Sequence, residues 1–401
     1  MNKKRIITIL IAAALIAALW GVWTNRKAEA PVKQETVSEE VREEETGEES
    51  VLTSVAKIKK SGNVVLQIKA SELLEKGIEF GDIIDVTVGD KQISCPVCYS
   101  YSNVAVGENV CVLVTAEEDD VTLASNGLDF ASTSQIAVKK KTDEDPGYLW
   151  EALTDLDTVR ITVAEKKGYE NVLKFMVFDR SNERSDYPDL SDEAYANFRS
   201  IELGDLREDI LYRSSSPINP SLKRNTQADE AARAAGVRVM IDLQDKKEEA
   251  EAYEGFADSY YASVTDVFLP MTYDFFSQDS KQIVKKAAEA ILDNEGPYLI
   301  HCKEGKDRTG FLCAVLESLM NASYEEICDD YMETYFNFFD ASLMKEGYDI
   351  IVYNNIRTVL CKAFATETPE TADLHECAVE YLGDCGLSEA QIDALIDKLH
   401  K

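Results

Sequence analysis

Residues 297–320 read PYLIHCKEGKDRTGFLCAVLESLM, and this segment decides the fold. It begins with PYLIH (297–301), a short apolar run typical of a buried strand, and ends with FLCAVLESLM (311–320), which is typical of a helix. A strand, a tight loop and a helix bring consecutive backbone N–H groups and the positive end of the helix towards one point. The segment therefore predicts a binding site for a dianion such as a phosphate group.

The loop also carries side chains suited to phosphoryl transfer. Cys302 stands at its start, where the positive field favours the thiolate, the form that attacks phosphorus. Arg308 can hold two phosphoryl oxygens with its planar fork. Gly305 permits a tight curl of the backbone, and the Thr309 hydroxyl can stabilise sulfur as a leaving group. We expect no metal or other cofactor, because Arg308 and the loop already supply positive charge.

The loop HCKEGKDRTG (301–310) resembles that of the Cys-x5-Arg cysteine phosphatases, most closely the bacterial atypical tyrosine, dual-specificity and lipid phosphatases. The resemblance covers residues 195–401, because further fragments match in the same order: Asn197-Phe198-Arg199, LYRSSSP (211–217), IDL (241–243), EEICDDYMETY (325–335) and GLSEAQIDALIDKL (386–399). It implies hydrolysis of phosphate monoesters through a phosphocysteine intermediate. One departure is Gln244 after Asp242-Leu243, where the family often has arginine, and this puts one anion contact or buried ion pair in doubt.

We expect six residues of the loop to bind or orient the substrate: His301, Lys303, Glu304, Gly305, Lys306 and Thr309. His301 is expected to orient the loop by hydrogen bonds, with an ordinary core histidine as the alternative. Two lysines in such a loop are similar to those of a 3-phosphoinositide phosphatase, which favours a polyanionic head group. Solvated loop charges are the alternative for both lysines.

The leaving oxygen needs a proton from a carboxylic acid. Asp307 lies in the loop itself. Asp242 ends a strand that is expected to lie beside PYLIH, and strand ends in such sheets face the ligand crevice. The resemblance permits either of them. Asp274 occupies the region where other phosphatases carry a mobile acid loop, and it is the third candidate.

Three functions remain open on the sequence alone. The first is a protein tyrosine or dual-specificity phosphatase, whose partner is a phosphorylated protein. The second keeps the site but acts on a phosphoinositide or inositol phosphate. The third is a phosphate-binding pseudo-enzyme, in which residues 53–140 mediate an interaction. The intact Cys302, Arg308 and candidate acids argue against it.

Two folded regions are predicted. Residues 195–401 alternate strands and helices, which indicates an α/β phosphatase domain with a parallel-rich sheet flanked by helices. Residues 53–140 contain β-branched runs separated by Gly-centred turns, which indicates a small all-β domain, a barrel or a sandwich. Residues 141–194 are a connecting region, in which VRITVA (159–164) is a strand and ENVLKFMVF (170–178) is ambiguous.

The β region resembles the C-terminal β domain of the S-adenosylmethionine hydroxide adenosyltransferases in four Gly-centred pieces within residues 55–140. The family's preceding domain has no counterpart in the chain, so we interpret the region as a retained module. Cys95-Pro-Val-Cys98 is a C-x-x-C motif, either a redox site or half a zinc site. Its position inside a strand favours buried thiols or an incidental disulfide instead.

The N-terminus predicts a membrane-spanning helix before these domains. Residues 6–23, IITILIAAALIAALWGVW, carry no charge and follow the basic residues KKR. Eighteen residues of helix span about 27 Å, close to the ~30 Å hydrocarbon core of a bilayer. We interpret residues 1–30 as a signal anchor that holds the body outside the cytoplasm, with a cleaved signal of a secreted protein as the alternative. Residues 31–52 are an acidic linker.

Composition limits the remaining classes of function. The 401 residues include 42 Lys and Arg against 74 Asp and Glu, a formal net charge of −32. Such a chain is repelled by nucleic-acid phosphates, so no nucleic-acid partner is expected. Nine cysteines, an odd number spread over a long chain, are not typical of a disulfide framework.

Overall fold

The computed structural model describes residues 50–114, 118–143 and 147–400. The predicted signal anchor (residues 1–30) and nearly all of the acidic linker (31–52) lie outside the described residues. Within the described part of the chain, every helix is too short or too polar to cross a membrane.

The N-terminal β domain is an eight-stranded sheet with an added hairpin. Its strands are β1 (Val51–Thr53), β2 (Val55–Ile58), β3 (Val64–Lys69), β4 (Ile83–Val88), β5 (Lys91–Cys98), β6 (Asn109–Val114), β7 (Asp120–Ser125), β8 (Ala137–Lys141), β9 (Tyr148–Ala152) and β10 (Val159–Glu165). The order is β1-β10-β4-β5-β6-β7-β3-β2, while β8 pairs with β9. Because β1 and β2 follow each other in sequence but lie at opposite ends of this order, the sheet curls into a barrel.

Alternating burial builds the barrel core. In β4, Ile84, Val86 and Val88 are fully buried while their neighbours are partly exposed, the period of two expected for a strand with one inner face. The sheet extends beyond the predicted limits of 53–140, because β10 lies between β1 and β4 and satisfies the edges of both. The helices of this part are α1 (Ala70–Glu75), α2 (Phe130–Thr133) and α3 (Glu170–Met176), the last formed by the segment that was ambiguous in sequence.

The C-x-x-C motif lies inside β5. Cys95 and Cys98 are buried and free, and a third buried thiol, Cys111, lies near them in the barrel. Burial raises the pKa of Cys95 and Cys98 well above the ordinary thiol value. Such thiols stay protonated and are poor nucleophiles, as expected for structural cysteines of a strand.

The C-terminal domain is α/β, as predicted. Its strands are β11 (Arg199–Ser200), β12 (Leu211–Ser214), β13 (Val239–Asp242), β14 (Thr265–Phe268) and β15 (Tyr298–His301). They form one sheet in the order β11-β12-β15-β13-β14. The last four strands of this order are parallel, and β11 is an antiparallel edge.

Helices cover this sheet and continue to the C-terminus. They are α4 (Asp192–Tyr195), α5 (Asn225–Ala234), α6 (Lys247–Ala250), α7 (Gln278–Asp293), α8 (Asp307–Leu319), α9 (Tyr324–Phe338), α10 (Ala341–Glu346), α11 (Tyr348–Val352), α12 (Thr358–Ala363), α13 (Leu374–Asp384) and α14 (Glu389–Leu399). α8 is buried over almost its whole length, so it is the central helix of the domain. α7 is amphipathic and buries Val284, Ala287 and Ile291 against the core, as its sequence period predicts.

Register places the ends of three strands side by side. His301, the last residue of β15, is level with Ser214 of β12 on one side and with Asp242 of β13 on the other. The segment from β15 to α8 therefore begins at the centre of the carboxyl edge of a parallel sheet, where such sheets bind ligands.

Candidate active site

The phosphate loop, residues 302–308, curls sharply between β15 and α8. Gly305 has a φ of +69°, a conformation in which side chains are strained. A Cβ on Gly305 would also lie 2.1 Å from the backbone oxygen of Ser214. Only glycine therefore fits this position.

The carbonyl oxygens of the loop are held from behind. Arg213 Nη2 donates to Gly305 O at 2.8 Å, and Asn197 Nδ2 donates to Glu304 O at 3.2 Å. The backbone N–H of Ser216 donates to the oxygen of Lys303 at 3.2 Å. Because these oxygens point away from the centre of the loop, its N–H groups are left to face an anion.

A buried ionic network supports these donors. Asp330 of α9 accepts hydrogen bonds from Arg213 and from Arg199, the latter at 2.7 Å, and Arg199 also donates to Asn197 Oδ1 at 2.7 Å. Although burial raises it, the two arginines hold the pKa of Asp330 well below its usual range. The fragments that resemble the phosphatases, Asn197-Phe198-Arg199 and LYRSSSP, therefore lie beside the loop as its supports.

Cys302 and Arg308 are both buried at the carboxyl edge, 3% and 7% exposed. Arg308 Nη1 donates to the carbonyls of Leu243 and Met271 at 3.2 and 3.4 Å, and its Nη2 donates to Gln244 Oε1. Its Nε has no hydrogen-bond partner in the described part of the chain and remains available for an oxyanion. Gln244, the departure from the family pattern, thus accepts a hydrogen bond from Arg308 and orients its guanidinium. An arginine at this position has no acceptor and could not do so.

The structure separates the two leading acid candidates. Asp242 is fully buried, and its Oδ1 accepts the backbone N–H groups of Gln244 and Asp245 at 2.7 and 3.1 Å. Burial raises the pKa of Asp242 to about 7. Its side chain holds the turn after β13, beneath the surface that a substrate could reach.

Asp307 is the accessible candidate. Its side chain is 33% exposed, lines a cavity beside the loop and accepts a hydrogen bond from the Tyr331 hydroxyl at 3.3 Å. Burial raises the pKa of Asp307. The positive charge of Lys306 lowers this pKa, and the negative charge of Glu304 raises it. A raised pKa favours the protonated carboxyl that a general acid requires. The Asp274 side chain has no contact with the loop among the described interactions.

His301 and Thr309 lie inside the protein. The His301 ring is fully buried, with Nε2 3.2 Å from the Tyr261 hydroxyl and 3.9 Å from Asp242 Oδ2. Burial lowers the pKa of His301 to about 4, so the ring is neutral at pH 7. The buried hydroxyl of Thr309 makes no hydrogen bond within the described residues, so it is available to the sulfur.

The two loop lysines have different environments. The Lys306 ammonium is enclosed by three aromatic rings, with centroids 5.2, 5.3 and 5.7 Å away: Phe178, Tyr335 and Phe339. It also lies 3.5 Å from Glu304 and 3.9 Å from Asp307. Lys303 is partly exposed, and its ammonium has no ion pair among the described residues. Lys303 is therefore the loop cation still available to a substrate.

Glu304 is tied to the connecting region. Arg180 Nη2 lies 2.7 Å from Glu304 Oε1. Although burial raises it, Lys306 and Arg180 bring the pKa of Glu304 down to about 2. Glu304 therefore remains ionised and fixes the loop to its neighbours, which a loop position alone could not reveal.

Tyr273 is a site residue that the sequence analysis missed. The Arg308 guanidinium lies 5.0 Å from the centre of its ring. Burial raises the pKa of Tyr273, and its hydroxyl is close enough to Arg308, Asp307 and Cys302 for their charges to act on it. Its neighbour Asp274, the third candidate acid, lies in the same segment.

A cavity of about 200 Å³ opens beside the loop. Glu304, Lys306 and Asp307 form its base, and Tyr273 forms part of its wall. Among the residues that the structure describes, no three His, Cys, Asp or Glu side chains are grouped to hold a metal ion.

Comparisons with known proteins bear on the C-terminal domain. A family model described as "Tyrosine phosphatase family" matches residues 193–401, more than half of the chain. No curated protein shows a significant match.

Several solved structures are similar to part of the chain. An uncharacterised conserved protein from Thermotoga maritima is 21% identical over 33% of this chain, with a TM-score of 0.23, and the chain covers only 41% of its length. The catalytic domain of the PP-IP phosphatase Siw14 from S. cerevisiae is 24% identical, with coverage of 38% and 84% and a TM-score of 0.26. TpbA from P. aeruginosa, in complex with phosphotyrosine, is 18% identical, with coverage of 50% and 98% and a TM-score of 0.28.

Proposed function

The chain belongs to the tyrosine phosphatase family, and on that premise we propose that it hydrolyses phosphate monoesters through a phosphocysteine at Cys302. One observation carries the proposal: Cys302 and Arg308 share a loop whose carbonyl oxygens are bonded from behind, so that its N–H groups face one point. This arrangement offers a nucleophile and an oxyanion site together.

The reaction proceeds in two steps. In the first, Cys302 Sγ attacks phosphorus while the bond to the leaving oxygen breaks and Asp307 gives that oxygen its proton. Arg308 Nε and the loop N–H groups hold the equatorial oxygens. In the second, water attacks the phosphocysteine, its proton goes to the Asp307 carboxylate, and orthophosphate and the thiolate are released.

Asp307 is assigned as the acid on three observations. It is partly exposed, it lines the cavity, and its pKa is raised by burial. Asp242 is assigned a structural role and not that of the acid. It is fully buried and accepts a hydrogen bond from the turn after its strand.

An arylphosphate or phosphotyrosine substrate fits the site better than a polyphosphorylated head group. Lys306, one of the two lysines that favoured a polyanion, already faces the carboxylates of Glu304 and Asp307. Only Lys303 then remains for further phosphates on the described loop, and a polyanion needs several cations.

Replacement of the nucleophile provides the first test. Cys302→Ser should lower kcat for an aryl phosphate by about a thousandfold or more, because a serine hydroxyl in this loop is not deprotonated. Binding of phosphotyrosine, measured by calorimetry, should persist because Arg308 and the loop remain. Cys377→Ser, a partly exposed cysteine of α13, is the matched control and should retain activity. Substantial turnover by Cys302→Ser would exclude a phosphocysteine.

Replacement of the acid provides the second test. Asp307→Asn should slow hydrolysis of phosphotyrosine strongly, about a hundredfold, but slow a substrate with a good phenolic leaving group much less. The loss of kcat/KM as pH rises should also disappear, since that limb follows deprotonation of the acid, whose pKa lies above its usual range.

Asp242→Asn is the control for this comparison. Asparagine keeps the oxygen that accepts from Gln244 and Asp245, so any effect should be small and equal for both substrates. Leaving-group dependence in Asp242→Asn but not in Asp307→Asn would reverse the assignment.

The proposed location is a body held outside the cytoplasm by residues 1–30. The uncharged run at 6–23 behind a basic cluster supports this proposal. Edman sequencing of the protein isolated from membranes should begin within residues 1–5. A mature protein that begins near residue 31 would instead indicate a cleaved signal and a secreted enzyme.

A further inference from the structure

The cavity beside the phosphate loop has walls from both domains. The C-terminal domain contributes the base, with Asp307, and one wall, with Tyr273. The facing wall belongs to the β domain and consists of four residues: Tyr101, Ser102, Val106 and Asn126. The barrel is therefore part of the surface that surrounds the site.

This wall is attached firmly to the C-terminal domain. Lys362 Nζ of α12 donates to the carbonyl of Val106. Asn103, 4% exposed, donates from Nδ2 to the carbonyl of Met176 at the end of α3, the helix that precedes the C-terminal domain. Gly127 packs so closely that a Cβ there would lie 2.7 Å from the backbone oxygen of Tyr273. The contacts of Val106 and Gly127 thus hold the barrel loops against the C-terminal domain, and the contact of Gly127 is made with the segment that carries Tyr273.

Tyr101 is a half-exposed aromatic residue of this wall. It begins a turn of 3₁₀-helix, Tyr101–Asn103, and is 48% exposed. Its ring has no aromatic partner among the described residues, whereas Tyr99, two residues earlier, stacks on Phe80 at 4.0 Å. Across the cavity, Tyr273 is also half exposed, at 46%. Two half-exposed rings from two domains therefore border one small cavity.

The chemistry of the lining suits a flat apolar group. Besides these two tyrosines, the lining has six large apolar side chains: Phe178, Phe275, Phe311, Val106, Ile356 and Val359. Lys306 is the single cation among the described lining residues, and Glu304 and Asp307 lie within 3.5 and 3.9 Å of it. A second or third phosphate would find no uncompensated positive charge here.

We propose that the β domain is a substrate-recognition element, and that Tyr101 packs against the aromatic ring of an aryl phosphate ester such as phosphotyrosine. The inference rests on the proposed function, since the phosphate of the ester must sit in the loop. The ring then lies in the cavity, between the barrel wall and the segment of Tyr273. An aromatic contact of this kind adds affinity for the ester without touching its phosphate.

Replacement of Tyr101 tests the inference. Tyr101→Ala should raise KM for phosphotyrosine about three- to tenfold. It should leave the inhibition constant of inorganic phosphate unchanged, because orthophosphate fills only the loop. KM for phosphoserine, which has no ring, should also stay unchanged. Tyr101→Phe should restore the wild-type KM, since the ring is kept.

Tyr99→Ala is the matched control, because it removes the same side chain from the same segment but outside the cavity. It should leave KM for phosphotyrosine at the wild-type value, and thermal unfolding should verify that both alanine variants are folded. Equal KM values for phosphotyrosine in wild type and Tyr101→Ala would overturn the inference. So would parallel increases for phosphotyrosine, phosphoserine and orthophosphate, which indicate a general distortion of the loop.

A binding measurement separates this inference from the proposed reaction. The affinity of phosphotyrosine is compared between Cys302→Ser and the double variant Cys302→Ser/Tyr101→Ala by calorimetry. Weaker binding by the double variant supports the contact between Tyr101 and the substrate ring. This holds even if the wild type shows no turnover, which is the result that would refute the reaction. Equal binding by the two variants refutes the contact between Tyr101 and the substrate ring, while turnover by the wild type still supports the reaction.

Discussion

The site depends on the direction in which the carbonyl oxygens of residues 303–305 point. A seven-residue loop presents N–H groups to an anion only if its oxygens find donors elsewhere, and here Arg213, Asn197 and the N–H of Ser216 supply them. The oxygen of Gly305, for example, accepts from a guanidinium that is itself 1% exposed. Without such donors, buried carbonyls would be unsatisfied and the loop would turn to satisfy them.

This requirement explains the distant fragments of sequence that accompany the loop. Arg213 lies on β12, the strand next to β15. Asp330 of α9 compensates its buried positive charge. Asp330 in turn binds Arg199, which fixes Asn197. Elements from residues 197 to 330 thus form a single support behind the loop that begins at Cys302. The barrel lies on the other side, where it borders the cavity opposite Asp307.

The sequence predicted the α/β domain, its parallel-rich sheet and the strand–loop–helix of the site, because apolar periods and Gly305 are local signals. It did not predict β10 as a barrel strand, since pairing between residues 83–88 and 159–165 is set by distant register. It could not separate Asp307 from Asp242 either, because the two differ in burial and not in type or motif. Tyr101 and Tyr273 carry no motif at all. Tyr273 reaches Arg308 only through the folding of the C-terminal domain, and Tyr101 reaches the cavity only where the two domains meet.

Orthophosphate affinity in Arg213→Lys tests the central claim most directly. Lysine can still pair with Asp330, but it lacks the fork that reaches Gly305 O at the same time. The inhibition constant of orthophosphate, measured in a variant that unfolds cooperatively, should rise about tenfold, because one loop oxygen loses a charged donor. Arg199→Lys, which changes the same network without a contact to the loop carbonyls, should have a smaller effect. An unchanged inhibition constant in folded Arg213→Lys would contradict the account.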